Sequence, residues 1–253
     1  LASWVVGDVL FIVAVFSLPH VSRPTTETFL AAHLFGIAIA TIVMFTGIGA
    51  GVLWLPFFTL IGCSPTEGVS LSLFTQIAGK GSGSIQYIRD NMVVWPVVRV
   101  FIPYAFFGVT IGYVAGFALS REWENWLLLG FAIVVFYLVY VMARSLGEQP
   151  HGNDGKIDVV ALKKSALVVQ VSSFFTGLLS IGNSDWLIPY MERRIKLSDS
   201  RAVATGVFVM FSVAVFFLFL TVGGVVLGIR AWPHYLPILP ATCSGVVLGG
   251  QIG

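Results

Sequence analysis

The sequence predicts an all-α integral membrane protein built as two inverted repeats, each of about three transmembrane helices plus one broken, re-entrant helical hairpin. Three observations carry this expectation: the balance of apolar to charged residues, the recurrence of uncommon residues at one fixed offset, and the distribution of basic residues between the two membrane faces. Charged residues make up 10% of the 253 positions and hydrophobic residues 57%, with a mean hydropathy of +0.92. An ordinary soluble domain is roughly 25% charged. So few polar residues cannot cover a water-facing surface. The net charge of +2 is too small to make nucleic acid a partner. Cys63 and Cys243 form no disulfide framework and no metal spacing, and read as packing residues.

A membrane-crossing helix needs about 20 mostly apolar residues. Eight hydrophobic units qualify, at 1–18, 29–62, 68–88, 93–119, 126–142, 159–190, 202–229 and 233–253. The first has neither a basic leader nor a small-residue cleavage site, so it reads as a retained helix preceded by further residues. The second and sixth run to about 30 residues. Small residues interrupt both: Gly47, Gly49, Ala50 and Gly51 in one, Gly177, Ser180, Gly182, Asn183 and Ser184 in the other. Each glycine costs a helix interior about 1 kcal/mol relative to alanine, so such clusters mark breaks. Glycines 108, 112 and 116 read differently, as a small-residue face for helix packing.

One long polar stretch, 144–158, divides the chain into a first repeat (1–143) and a second (159–253), and reads as a cytoplasmic linker. Trp95-Pro96 recurs as Trp232-Pro233, Pro103 as Pro240, Gly108 as Gly245 and Gly112 as Gly249, all at one offset. FTGIGAGVLWLP, from Phe45, returns as FTGLLSIGNSDWLIP, from Phe175. If all eight units crossed, basic residues would show no useful bias. If the second and sixth enter, break and return, ten fall inside (Lys80, Arg89, Arg144, Lys156, Lys163, Lys164, Arg193, Arg194, Lys196, Arg201). With Arg99 left out because it lies within a span, only Arg23, Arg121 and Arg230 then lie outside, as the positive-inside rule expects. Each half then has an odd number of crossings, which inverts one repeat relative to the other.

Enzyme signatures are missing. The four histidines form no zinc-binding spacing, no carboxylate pair sits within a span, and AGKGSGS (from Ala78) lacks the first glycine and the Ser/Thr of a phosphate loop. No metal and no cofactor is expected. Inverted repeats with broken helices point instead to transport, with a small-anion site near the midplane. The candidate binding residues are Gly49, Ala50 and Gly51 with Asn183, Ser184 and Asp185, joined by Gln76, Thr205 and Lys80. Ionisable residues in spans are functional candidates. Asp185 is the candidate proton-coupling group, against the alternative that it caps a half-helix starting at Trp186. Lys80 has three readings: contact with the anion, pairing with an acid such as Asp8, or a headgroup position if the surrounding glycines end the helix.

The segments GIGAGVLWLPFFTLIGCSP, EGVSLSLFTQ and IQYIRDNMVVWP, with Ala202-Val203-Ala204-Thr205-Gly206 as a second copy of a small-residue run, resemble the sulfite exporter TauE/SafE family over about residues 30–253. The resemblance implies ATP-independent movement of sulfite or a small organosulfonate across the cytoplasmic (inner) membrane of a prokaryote by a multi-pass protein. Asn91-Met92-Val93-Val94 and the glycine-flanked Lys80 depart from the family's usual residues. The partners expected are that anion and the lipid bilayer, with a homodimer left open. Two rivals stand beside the transporter: an anion channel of the same fold, and a membrane-embedded enzyme or subunit of sulfur metabolism.

Overall fold

The computed structural model describes residues 25–46, 50–118, 123–145, 162, 164–229, 231 and 233–252. The first hydrophobic unit, Gly49, Trp232 and nearly all of the polar linker lie outside them. The described residues form helices and no strand. They are α1 (Thr26–Thr46), α2 (Gly51–Leu60), α3 (Pro65–Arg89), α4 (Trp95–Ala118), α5 (Glu124–Ser145), α6 (Ala166–Leu179), α7 (Ser184–Tyr190), α8 (Asp199–Val226) and α9 (Leu239–Ile252). A π-helical turn, Met191–Ile195, continues α7, and a 3₁₀ turn, Leu236–Ile238, leads into α9.

Among the described residues, three stretches are long and apolar enough to cross a membrane: Thr26–Val43 of α1, Trp95–Ala118 and Asp199–Val226. α3 is of similar length, but buries Ser70, Ser72, Thr75, Gln76 and Ser84. Large apolar side chains point outward, among them Phe136 at 76% exposed and Phe219 at 67%. Water would penalise such a surface; hydrocarbon accepts it. The chain is an all-helical membrane protein.

Local signals set the helix starts. The Thr25 hydroxyl accepts the Thr28 N–H at 3.2 Å ahead of α1. Ser64 accepts the Glu67 N–H at 3.3 Å with Pro65 as the first helical residue of α3, a combination that satisfies or removes donors a helix start leaves orphaned. The Glu67 carboxylate accepts the His234 N–H at 3.1 Å. α3 then runs unbroken through the glycines of AGKGSGS to Arg89. They do not end the helix, and the headgroup reading of Lys80 loses its basis. In hydrocarbon an unmade backbone hydrogen bond costs several kcal/mol, against about 1 kcal/mol for a helical glycine.

The chain forms two compact units, one of residues 1–79 with 218–253 and the other of residues 80–217. The boundary falls inside α3 and again inside α8. Each unit therefore combines helices from both halves of the sequence.

In the first unit α9 packs on α1. A Cβ on Gly245 would lie 2.3 Å from the His33 carbonyl oxygen, and one on Gly249 would lie 2.4 Å from that of Ile37. The His33 ring meets the Ser244 hydroxyl at 2.9 Å. Stacked Phe35 and Phe57, 4.3 Å between centroids, hold α2 to the same helix.

In the second unit α4 packs on α6 in the same way. A Cβ on Gly108 would meet the Gln170 carbonyl oxygen at 2.4 Å, and one on Gly112 that of Phe174 at 2.2 Å. The offset that carries Gly108 to Gly245 and Gly112 to Gly249 also carries His33 to Gln170 and Ile37 to Phe174. The sequence repeat is thus also a repeat of contacts.

Candidate functional site

The sixth hydrophobic unit breaks where its small residues cluster. α6 ends at Ser180, whose φ of 59° is left-handed and whose N–H reaches back to the Thr176 carbonyl. The Thr176 hydroxyl lies 2.7 Å from the Ile181 carbonyl and 3.0 Å from that of Ser172, which pins the strand of backbone leaving the helix. Asn183 donates its amide to the Ser173 hydroxyl at 3.2 Å. α7 begins at Ser184, the Asn183 carbonyl accepting from Trp186 at 3.1 Å and from Leu187 at 3.0 Å. The cap position belongs to Asn183, and Asp185 stands inside the first turn, so Asp185 is not the capping residue of a helix starting at Trp186. Gly182 leaves room for two side chains that turn back over it. A Cβ there would meet Asp185 Oδ2 at 3.2 Å and Ser184 Oγ at 3.3 Å.

Around this break the second unit gathers polar groups in an apolar setting. Asn183, Ser184 and Asp185 are buried, as are Ser172, Ser173, Thr176 and Thr205. α8 forms one wall. Its Gly206 lies against Ile188 of α7, while Val207 faces Gly83 and Phe211 faces Gly81 of α3. The end of α3 that belongs to this unit therefore flanks α8 beside α7. Lys80 sits there, partly buried, with Ser84 one turn on along the same face. The Asp185 carboxylate acts electrostatically on the Lys80 ammonium.

Four enclosed polar atoms in this unit have no hydrogen-bond partner among the described residues: Ser84 Oγ, Asn183 Oδ1, Ser184 Oγ and Trp186 Nε1. Each such atom costs about 1–3 kcal/mol unless something occupies it, and two of them sit on consecutive residues at the break, Asn183 and Ser184, which makes the break a candidate place for a polar guest. The Asn183 amide can turn over, accepting from Ser173 and presenting its NH₂ instead. Asn183 and Ser184 then offer an amide and a hydroxyl as donors at the break. Such donors suit an oxyanion.

Of the sequence-predicted residues, Lys80, Asn183, Ser184, Asp185 and Thr205 thus belong to one unit. Thr205 has a further task, its oxygen accepting the Val94 N–H at 3.1 Å just ahead of α4. Ala50, Gly51 and Gln76 belong to the other unit, where Ala50 and Gly51 open α2 and Gln76 donates to Ser72 at 3.4 Å. In that unit Thr75 and Thr242 share a hydroxyl–hydroxyl hydrogen bond of 2.9 Å. Gly49 lies outside the described residues. Ser84, Ser173 and Trp186 were not singled out from sequence. The i+4 step from Lys80 to Ser84, and Ser172, Ser173 and Thr176 on an otherwise apolar helix, were the signals available. A separate cavity of about 310 Å³, walled by Trp126, Ile133, Phe175 and Leu178, is apolar and offers an anion nothing.

The family model for the sulfite exporter TauE/SafE matches residues 32–253, nearly the whole chain. The chain belongs to the TauE/SafE family. TauE/SafE proteins are membrane transporters, which places the chain among transporters rather than enzymes. No curated protein and no solved structure shows a significant match. Membership accounts for the apolar helices and implies an anionic substrate; the break between α6 and α7 is where the second unit of this TauE/SafE chain collects buried polar groups.

Proposed function

We infer that the chain is a multi-pass secondary transporter of the prokaryotic cytoplasmic membrane, moving sulfite or a small organosulfonate. The observation that carries this reading is the group of enclosed, unpartnered polar atoms at the α6–α7 break, together with Lys80 and Asp185. A purely structural break would have its polar atoms satisfied by protein. Lys80, Asn183, Ser184 and Thr205 are proposed to bind the anion, and Asp185 to carry the coupled proton. In the other unit Gly49, Ala50, Gly51 and Gln76 are the proposed binding residues. The architecture proposed is two inverted repeats, supported by glycine–carbonyl contacts that recur at one offset.

Flux of labelled sulfite into vesicles reconstituted with the purified protein tests the reading. An imposed pH gradient is expected to drive sulfite above its equilibrium level. Flux that only dissipates a sulfite gradient, at the same rate with or without the pH gradient, would replace the transporter with a channel. No flux of sulfite or of sulfonates would overturn both.

A further inference from the structure

α6 is packed very differently on its two sides. Toward α4 it has no space: a Cβ on Gly177 would lie 2.5 Å from the Val109 carbonyl oxygen. Toward α5 there is a groove of about 310 Å³. Phe175 and Leu178 of α6 form one wall, and Trp126, Gly130, Ile133 and Val134 of α5 form the other. Those α5 positions fall at i, i+4, i+7 and i+8, a single helix face. Gly130, at the middle of that face, leaves it open, with nothing within 4 Å of where a Cβ would stand.

The lining suits hydrocarbon and nothing else. Apart from the indole N–H groups of Trp123 and Trp126, no lining side chain carries a polar atom, and a water would need about two to four polar partners. The outward residues along the same stretch of α5 are apolar as well, with Leu129 half exposed and Ile133 at 61%. Such a face stands in the bilayer. The two tryptophans mark the level of one end. Both are more than half exposed, their rings lie 6.4 Å apart at the start of α5, and exposed tryptophans gather where hydrocarbon meets headgroups. From Trp126 to Val134 the groove runs about 12 Å along the helix. One leaflet's hydrocarbon is about 15 Å deep, half of a core of about 30 Å. The groove begins at the interface and ends within one leaflet, the space of a single lipid tail.

We propose that the groove between α5 and α6 is a phospholipid site, seating one acyl chain with its headgroup at the Trp123–Trp126 end. The chain supplies the contacts that α6 lacks on this side, at the density that protein interiors keep. It also bears on the break. Phe175, in the wall, stacks on Trp186 of α7 at 6.1 Å with the ring planes 6° apart, and Leu179, also in the wall, is the last residue of α6. α4 blocks movement of α6 on the other side, so a filled groove clamps the helix end from which the break departs.

Native mass spectrometry of the full chain, purified in detergent and titrated with phosphatidylglycerol bearing brominated acyl chains, tests the site. One lipid should bind ahead of all others and stay bound on release from the micelle. As it binds, tryptophan fluorescence should fall to a plateau near one lipid per chain, because bromine quenches indoles it touches. Trp126→Phe should remove much of that fall. Gly130→Leu fills the groove from α5. It should weaken the first lipid tenfold or more, yet melt no lower than the wild type, its own side chain replacing the lipid's. Gly223→Leu, at a second glycine with nothing within 4 Å, should keep the lipid.

Quenching that grows in proportion to added lipid without a plateau would overturn the site. So would an undiminished first lipid in Gly130→Leu, or a plateau unchanged by Trp126→Phe. A wild-type chain that binds no lipid ahead of the rest, its groove covered by another segment of the chain or by a second copy, would overturn it as well.

Discussion

Replacing Gly112 with alanine adds one methyl group to the closest helix contact in the second unit. Its Cβ would lie 2.2 Å from the Phe174 carbonyl oxygen and 3.0 Å from the Leu178 nitrogen. Both are backbone atoms of α6, so no side-chain rotation relieves the clash. To reach the 3.4 Å of ordinary contact the helices must part locally by about 1.2 Å, the difference between the two distances. A gap of about 0.5–1 Å already forfeits a quarter to a half of each dispersion contact, and overpacking of this kind costs about 1–3 kcal/mol. Alanine's better helix propensity returns at most about 1 kcal/mol. Thermal unfolding in lipid nanodiscs, followed by tryptophan fluorescence, should show a fall of about 2–4 °C for each kcal/mol lost. Gly130→Ala, with nothing within 4 Å of the new methyl group, is the control and should melt no lower than the wild type. Gly249→Ala should fall by about as much as Gly112→Ala, because its contact with Ile37 is of the same kind at 2.4 Å. Equal melting of Gly112→Ala and Gly130→Ala would refute the close-packing argument.

Three further outcomes are expected. Burial first, then the Asp199 charge, raises the Glu192 carboxyl above its ordinary value, with Arg193 opposing. The ionised form therefore weighs against the folded state. That cost is absent below the unfolded carboxylate's pKa and complete above the folded one. Glu192→Gln should raise the melting temperature at neutral pH, and the gain should vanish as the pH falls below about 4.5, the ordinary carboxyl value; a gain independent of pH would contradict this. Burial, with Glu67 second, pushes the Cys63 thiol up to about 12, so it should stay unmodified by maleimide at neutral pH. Against that background, cysteines at Arg194 and Gln149 should label from the cytoplasmic face together, and labelling from opposite faces would rule out inverted repeats.

The membrane class was legible because hydrocarbon imposes it on composition. The breaks were legible because glycine and serine clusters are costly in a helix and persist only for a reason. The glycines at 108 and 112 announced a close-packed face, but a small-residue face does not name its partner. That α4 lies on α6, and α9 on α1, follows from packing between distant segments that no local pattern encodes. The glycines around Lys80 misled in the other direction. They suggest an ended helix, whereas close neighbours explain them: Phe211 at 3.0 Å from a Cβ on Gly81, and Val246 at 2.6 Å from one on Gly79. Ser84 escaped notice within that same run, because a serine among glycines signals small size before it signals chemistry.

The first unit's division between the two ends of the sequence has a consequence for biogenesis. Residues 80–217 form the second unit as one uninterrupted segment, so that unit can close while the ribosome is still translating. α1 cannot find its partner so soon. The carbonyls of His33 and Ile37 await Gly245 and Gly249, about 200 residues later, which at roughly 5–20 residues per second is roughly 10–40 s of translation. Through that interval α1 stands in the bilayer with its docking face against lipid or an insertion chaperone. A nascent chain arrested before α9 would leave a finished second unit beside an orphaned helix, a form that quality-control proteases of the membrane can recognise.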